Sequence, residues 1–194
     1  MTPALEGLTV LVTRPARQAG AFVAMLRGAG ADPILLPAIE IEPIELDAAS
    51  RAALAPDDFD WTVYTSANAV ECSLQQLPRP ARTRVAAIGR ATARALDGQG
   101  IRVDAVPQAA SDSEGLLALG PFADLRGKRI LIVKGAGGRA LLRAELARRG
   151  AEVVSCEVYR RRPAAADPAA LEALHEASGR TRLIVAVTSG EVLG

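Results

Sequence analysis

The chain has 194 residues, a formal net charge of +1 and one histidine, His175. Hydrophobic residues make up 49% and charged residues 23%, a globular composition with enough material for one large domain or two small ones. Near-neutral charge and 3% aromatics argue against a nucleic-acid or membrane-surface protein, and no apolar run approaches the ~18 residues of a membrane span.

In chain order, short apolar runs alternate with helical patterns. Residues 9–13 (TVLVT) predict a buried strand, stopped by Arg14-Pro15, and residues 16–29 a helix with Gly30 as its stop. Further strands are predicted at 33–36, 61–65, 84–88, 102–106, 129–133, 152–156 and 183–187. Helices are predicted at 67–77, 90–98, 112–119, 138–149, 168–178 and from 189 onward. This alternation means βαβ units and an α/β fold with parallel sheets covered on both faces.

The N-terminus lacks the basic start, apolar stretch and small-residue cleavage site of a signal peptide, so a cytoplasmic protein is expected. Cys72 and Cys156 show no metal or redox spacing and read as buried thiols. One histidine leaves no raw material for a zinc site or a histidine-based triad.

The strongest organising signal is an internal repeat. Residues 5–43 align without a gap on residues 125–163, an offset of 120, matching Gly7 with Gly127, Leu26 with Leu146, Gly30 with Gly150 and Pro43 with Pro163. Thr65-Ser66 and Thr188-Ser189, each after a predicted strand, match at an offset of 123. The reading is an internal duplication. Residues 1–37 plus 164–194 form lobe 1, residues 44–157 form lobe 2, and 38–43 and 158–163 are the crossings between them. One continuous sheet is the alternative. Residues 67–124 follow the first Thr-Ser pair and only Gly190–Gly194 the second, so lobe 1 is expected to be incomplete in a truncated chain.

Several turns carry candidate chemistry. Lys134-Gly135-Ala136-Gly137-Gly138-Arg139-Ala140 matches G-x-G-x-x-A between strand and helix, with Glu157 twenty residues past Gly137. It reads either as a dinucleotide site or, preferably, as an anion-binding turn without a nucleotide. Thr65-Ser66-Ala67-Asn68 opens a helix after a strand, with Ser66 or Thr65 as N-cap or as ligand hydroxyls. Gly89-Arg90-Ala91-Thr92 is the same kind of turn, and Ser111–Glu114, which includes Ser113, reads first as a capping box. Arg160-Arg161-Arg162 is a solvated run or the edge of a cleft. Tyr159 either packs its ring and wets its hydroxyl or serves as the available proton donor.

Taken together and in order, these segments resemble one family, uroporphyrinogen-III synthase. The resemblance rests on Thr13–Pro15, LLPAIEIEP (35–43), DWTVYTSANAVE (60–71), AAIGRATARALDGQGIRVD (86–104), SEGLLALG (113–120), residues 127–161 and VTSGEVL (187–193). It implies two flavodoxin-like lobes joined by a two-stranded connector. It implies dehydration and cyclisation of hydroxymethylbilane, a linear tetrapyrrole with eight carboxylates, with inversion of ring D, and no metal or redox cofactor. It implies Tyr159 as the catalytic acid. The expected substrate-binding set is Thr13, Arg14, Thr65, Ser66, Asn68, Gly89, Thr92, Ser113, Lys134, Gly135, Arg139, Thr188 and Ser189. The expected partner is this small molecule alone, with no nucleic acid and no membrane, acting on a monomer. The family carries a second glycine–threonine turn beyond Gly194, which sets this chain apart. A non-enzymatic two-lobed binding protein and an NAD-binding α/β enzyme are the alternatives; a phospho-receiver lacks its strand-end aspartate, because Thr13, Thr65 and Thr188 stand at those ends.

Overall fold

The computed structural model describes residues 4–108, 112–138, 140–179 and 182–187. The chain divides into two compact units, residues 1–41 with 161–194, and residues 42–160.

The first unit is built on β1 (Leu8–Val12), α1 (Ala16–Gly28), β2 (Asp32–Leu35), α7 (Pro168–Ser178) and β8 (Arg182–Ala186). Its three strands run parallel in the order β2-β1-β8. Val10 and Val12 point to one face, where they meet Ala19 and Leu26 of α1. Helix α7 starts where Asp167 accepts the Ala169 N–H at 3.1 Å and Pro168 supplies a helical φ.

The second unit holds α2 (Ala48–Ala53), β4 (Trp61–Tyr64), α3 (Ala67–Ser73), β5 (Arg84–Ala87), α4 (Arg90–Asp97), α5 (Ser113–Leu117), β6 (Arg129–Gly135), α6 (Leu141–Arg148) and most of β7 (Glu152–Pro163). The sheet order is β3-β7-β6-β4-β5, with β3 being Ile39–Pro43. β4, β5, β6 and β7 are mutually parallel where they pair. The Ile44 N–H to Val158 carbonyl bond and the Ala164 N–H to Ala38 carbonyl bond set β3 antiparallel to β7. All four residues of β4 are buried, as a central parallel strand requires. Trp61, Val63, Ile130 and Ile132 face a cluster with Leu116, Phe122, Leu142 and Leu146. Alternation sends Thr62, Tyr64, Leu131 and Val133 to the opposite face.

The two βαβ segments share their register. Thr9 pairs with Asp32 and Val12 with Leu35; 120 residues on, Arg129 pairs with Glu152 and Ile132 with Ser155. Their turns match as well. The Leu5 N–H donates to Ala29 and the Leu125 N–H to Arg149, while Gly30 and Gly150 have φ of 87° and 95°. Such angles favour glycine after a helix end.

Several expectations need correction. Residues 102–106 do not form a strand; the segment makes one isolated parallel bridge, Ala86 to Ala105. The reason is Asp104, whose carboxylate accepts the Val85 N–H at 2.9 Å and so takes a donor that a ladder would use. The predicted Ser111 capping box is also displaced: Asp112 is the N-cap of α5 and accepts the Gly115 N–H at 2.8 Å. The predicted strand 152–156 continues without a break through the tail to Pro163. Helix α2 was not expected; Asp47 caps it and none of its residues is buried, so it leaves no apolar periodicity to read. The helix expected from 189 lies outside the described residues. Among the described residues no helix is long and apolar enough to cross a membrane.

Candidate active site

The candidate residues that meet are at the carboxyl ends of β4 and β6. Parallel strands there release the chain into helices, and the freed N–H groups and turn side chains gather at that edge. β4 delivers Thr65 and Ser66. The Thr65 hydroxyl donates to the Val133 carbonyl at 3.3 Å and its N–H to the same oxygen at 3.1 Å, tying the turn to β6. Ser66 is the N-cap of α3, its Oγ accepting the Ala69 N–H at 3.0 Å.

β7 supplies Tyr159 through an irregularity. Lys134 pairs with Glu157, but the next residue, Gly135, pairs with Tyr159, so β7 carries one extra residue there. The bulge re-aims the tyrosine. Its main-chain carbonyl accepts the Ala136 N–H at 2.7 Å, and its hydroxyl lies 3.1 Å from Ser66 Oγ. The ring lies over Gly135: a Cβ there would stand 2.5 Å from Tyr159 Cζ and 2.9 Å from its Oη. Tyr159 is 2% exposed, so its hydroxyl is bonded within the protein and not wet at a rim.

Beneath the site, burial pushes the Tyr64 phenol up to about 12, partly opposed by its hydrogen bond with Ser73. Burial and the neighbouring Glu157 charge push the Cys156 thiol up to about 11. Neither group is therefore suited to proton transfer near neutrality.

The remaining candidates divide by place. Lys134 Nζ sits 3.6 Å from Glu157 Oε1 across the β6–β7 pair. With Glu157 so engaged and Gly135 packed under Tyr159, the glycine run has structural duties that a dinucleotide fingerprint does not require. Asn68 lies in the first turn of α3. Gly89 is the extended N-cap of α4, and Thr92 is buried within that helix. Ser113 is the first residue of α5. In the other unit, the Thr13 hydroxyl donates to the Ala186 carbonyl at 3.1 Å, and Arg14 follows in the turn before α1. Arg139, Thr188 and Ser189 lie outside the described residues. Sequence reasoning missed the contact between Gly135 and Tyr159, because the glycine was read as an anion-binding turn.

A family model described as uroporphyrinogen-III synthase HemD matches residues 20–193. The uroporphyrinogen-III synthase of Synechococcus elongatus is 37% identical over 185 residues, covering 89% of this chain and 68% of that protein. That of Salmonella typhimurium is 37% identical over 195 residues, covering 96% of this chain and 77% of that protein. Among solved structures, a mutant uroporphyrinogen III synthase from the extremely thermophilic bacterium Thermus thermophilus superposes with a TM-score of 0.60 at 27% identity, covering 89% of this chain and 69% of that one. The chain belongs to the uroporphyrinogen-III synthase family.

Proposed function

We propose that the protein dehydrates and cyclises hydroxymethylbilane, with inversion of ring D, to uroporphyrinogen III in tetrapyrrole biosynthesis. The observation that carries the site assignment is the phenol of Tyr159 held 3.1 Å from Ser66 Oγ over Gly135. The reaction breaks a C–O bond, with the electron pair leaving on oxygen. A proton from the Tyr159 hydroxyl converts that oxygen to water and leaves a cation stabilised by the pyrrole. Ring closure through a spiro intermediate then releases a proton from a pyrrole carbon, which restores the phenol. Electrons balance without a redox partner. The linear substrate closes unaided to the non-inverted isomer, so the enzyme's work is to hold the two ends in the productive geometry.

In the same reading the residues that bind substrate carboxylates are drawn from Thr13, Arg14, Thr65, Ser66, Asn68, Gly89, Thr92, Ser113, Lys134, Gly135, Arg139, Thr188 and Ser189. Turn N–H groups, hydroxyls and cations suit such anions. The finer architecture proposed is two flavodoxin-like lobes related by internal duplication, with 38–43 and 158–163 as connector strands. The shared register and matching turn bonds of the two βαβ segments support it.

The test supplies freshly made hydroxymethylbilane and separates the isomeric porphyrins after oxidation. An excess of isomer III over the unaided reaction is expected. Tyr159→Phe should lower kcat by about 10²-fold while the fold persists, because it removes one hydroxyl. No excess of isomer III refutes the enzyme and favours a binding protein; unchanged kinetics in Tyr159→Phe remove the phenol from the mechanism.

A further inference from the structure

We propose that Gln76 is a positioning residue: through Ile44 it holds the bulge of β7 that carries Tyr159, and so sets where the phenol stands. Its bearing on turnover rests on the proposed synthase reading.

Three observations carry it. The first is how the bulge is held. Lys134 pairs with Glu157 and Gly135 with Tyr159, so Val158 is the residue that β7 carries in excess. A bulged residue has no place in the ladder, and its buried main-chain groups need other partners. Val158 is fully buried, and its carbonyl accepts the Ile44 N–H at 3.0 Å from the β3 side of the sheet. The Tyr159 carbonyl takes the Ala136 N–H at 2.7 Å from the β6 side. Successive carbonyls of the bulge are therefore held from opposite edges. The second observation is what holds Ile44. β3 ends at Pro43, and the chain runs to α2 without regular structure. Gln76 grips this segment with both ends of its carboxamide. Nε2 donates to the Ile44 carbonyl at 2.8 Å, and Oε1 accepts the Leu46 N–H at 2.7 Å. The partners fix the sense of both bonds, because a carbonyl only accepts and a main-chain N–H only donates. The third is the footing of Gln76. Its own N–H donates to the buried Ser73 carbonyl at 2.9 Å, and the next residue, Leu77, is buried and donates to the same oxygen at 2.7 Å. The clamp thus stands on the end of α3, whose other end begins at Ser66, 3.1 Å from Tyr159 Oη. One end of the helix meets the tyrosine at its hydroxyl; the other reaches its main chain through Ile44.

The test is spectroscopic and kinetic. Gln76→Met keeps the reach of the side chain and loses both bonds. Gln76→Glu, ionised near neutrality, keeps an acceptor for Leu46 and cannot donate to Ile44. Exchange of the Ile44 amide hydrogen should quicken about tenfold in both variants, and that of Leu46 in Gln76→Met alone. The chain has two tyrosines, so labelling the ring Cζ with carbon-13 gives two signals, and Tyr159→Phe identifies its own by loss. Both Gln76 variants should shift the Tyr159 signal and lower kcat about fivefold, with KM changed less than about twofold. In a Tyr159→Phe background neither should lower kcat further, because residues acting through one another are not additive. Arg51→Ala removes an exposed bond to the Leu46 carbonyl and should leave the signal and kcat as they are. A Tyr159 signal unmoved in both Gln76 variants overturns the positioning, as do kcat losses that persist in Tyr159→Phe, or equal effects from Arg51→Ala. A wild-type protein that makes no excess of isomer III overturns the synthase reading and the expected kcat losses with it; the ring signal and amide exchange still decide, without turnover, whether Gln76 sets the place of Tyr159.

Discussion

Asp57 offers the sharpest test of how the second unit is held. It lies in a 3-10 turn (Pro56–Asp58) ahead of β4, and one oxygen, Oδ1, accepts three consecutive main-chain N–H groups, from Ala81, Arg82 and Thr83, at 2.9, 2.8 and 3.1 Å. These bonds clamp the approach to β5. They also hold the carboxyl below its ordinary value, the Arg82 N–H first among the causes. A hydrogen bond to a charged group contributes about 1.5–3 kcal/mol, but Ala81 and Arg82 are exposed and their N–H groups return to water when the carboxylate is removed. The net loss on Asp57→Ala is therefore about 2 kcal/mol, not the sum of three bonds. The Arg82 guanidinium, 3.8 Å away and 82% exposed, adds little, so Arg82→Ala should cost under about 0.5 kcal/mol. Asp57→Asn keeps a neutral acceptor and should fall between. The assay is urea unfolding followed by the fluorescence of Trp61, the chain's one tryptophan, which is buried in this unit. With a slope of about 2 kcal/mol per M, Asp57→Ala should lower the midpoint by about 1 M. The pH dependence has a definite sign. A depressed folded value means that the contribution is present above the unfolded range, about 3.9, and is lost as pH falls through the folded value. The gap between wild type and Asp57→Ala should therefore close in acid. Equal midpoints at pH 7, or a gap undiminished once the carboxyl is protonated, would refute the argument.

Other expectations follow from the same unit. Gly150→Ala places a side chain at φ 95° with its Cβ 3.0 Å from Arg126 Cα, and should cost about 2–3 kcal/mol in the Trp61 assay; Gly137→Ala, at φ 72° in open space, should cost about 1–2 kcal/mol. Phe122→Ala empties a fully buried site 4.9 Å from the Trp61 ring, and should cost about 3–5 kcal/mol and red-shift the emission. Cys156, 1% exposed and with its thiol raised to about 11, should carry a thiolate fraction on the order of a thousandth at pH 8 and resist alkylation until urea opens the unit.

The readable parts of the fold were those whose causes are local. The run WTVYT is β-branched, apolar and short, and β4 is buried at every position. Ser66 follows it directly, and the structure chooses it over Thr65 as the cap because its Oγ reaches the third N–H of the helix. The unreadable parts depend on partners distant in sequence. Residues 102–106 have the composition of a strand, yet Asp104 bonds Val85 across 19 residues and replaces a ladder bond with a side chain. The site shows the same division. Tyr159 and Gly135 each stood out from the sequence, but their contact depends on a one-residue bulge between β6 and β7. Nothing in either segment alone encodes that bulge.

The matching βαβ segments diverge at the strand end that carries the phenol in one of them. At an offset of 120, Ile39 stands for Tyr159, Pro15 for Gly135 and Pro37 for Glu157. Through the first four pairs the two registers agree. They part after Leu35, where β2 ends and a separate strand begins at Ile39, although the Leu36 and Ala38 N–H groups on either side of Pro37 still donate to the Val12 and Thr13 carbonyls. In the other copy Glu157 faces Lys134 across the pair and β7 continues to the bulge and Tyr159. Likewise Pro15 is the N-cap of α1, where Gly135 instead leaves space for a ring. On the proposed duplication, the two copies share a backbone plan up to the strand end and diverge there. One copy ends its strand at Leu35 and carries Ile39 at the matching position; the other runs on past Glu157 to the bulge and the phenol of Tyr159, with Gly135 leaving room for its ring.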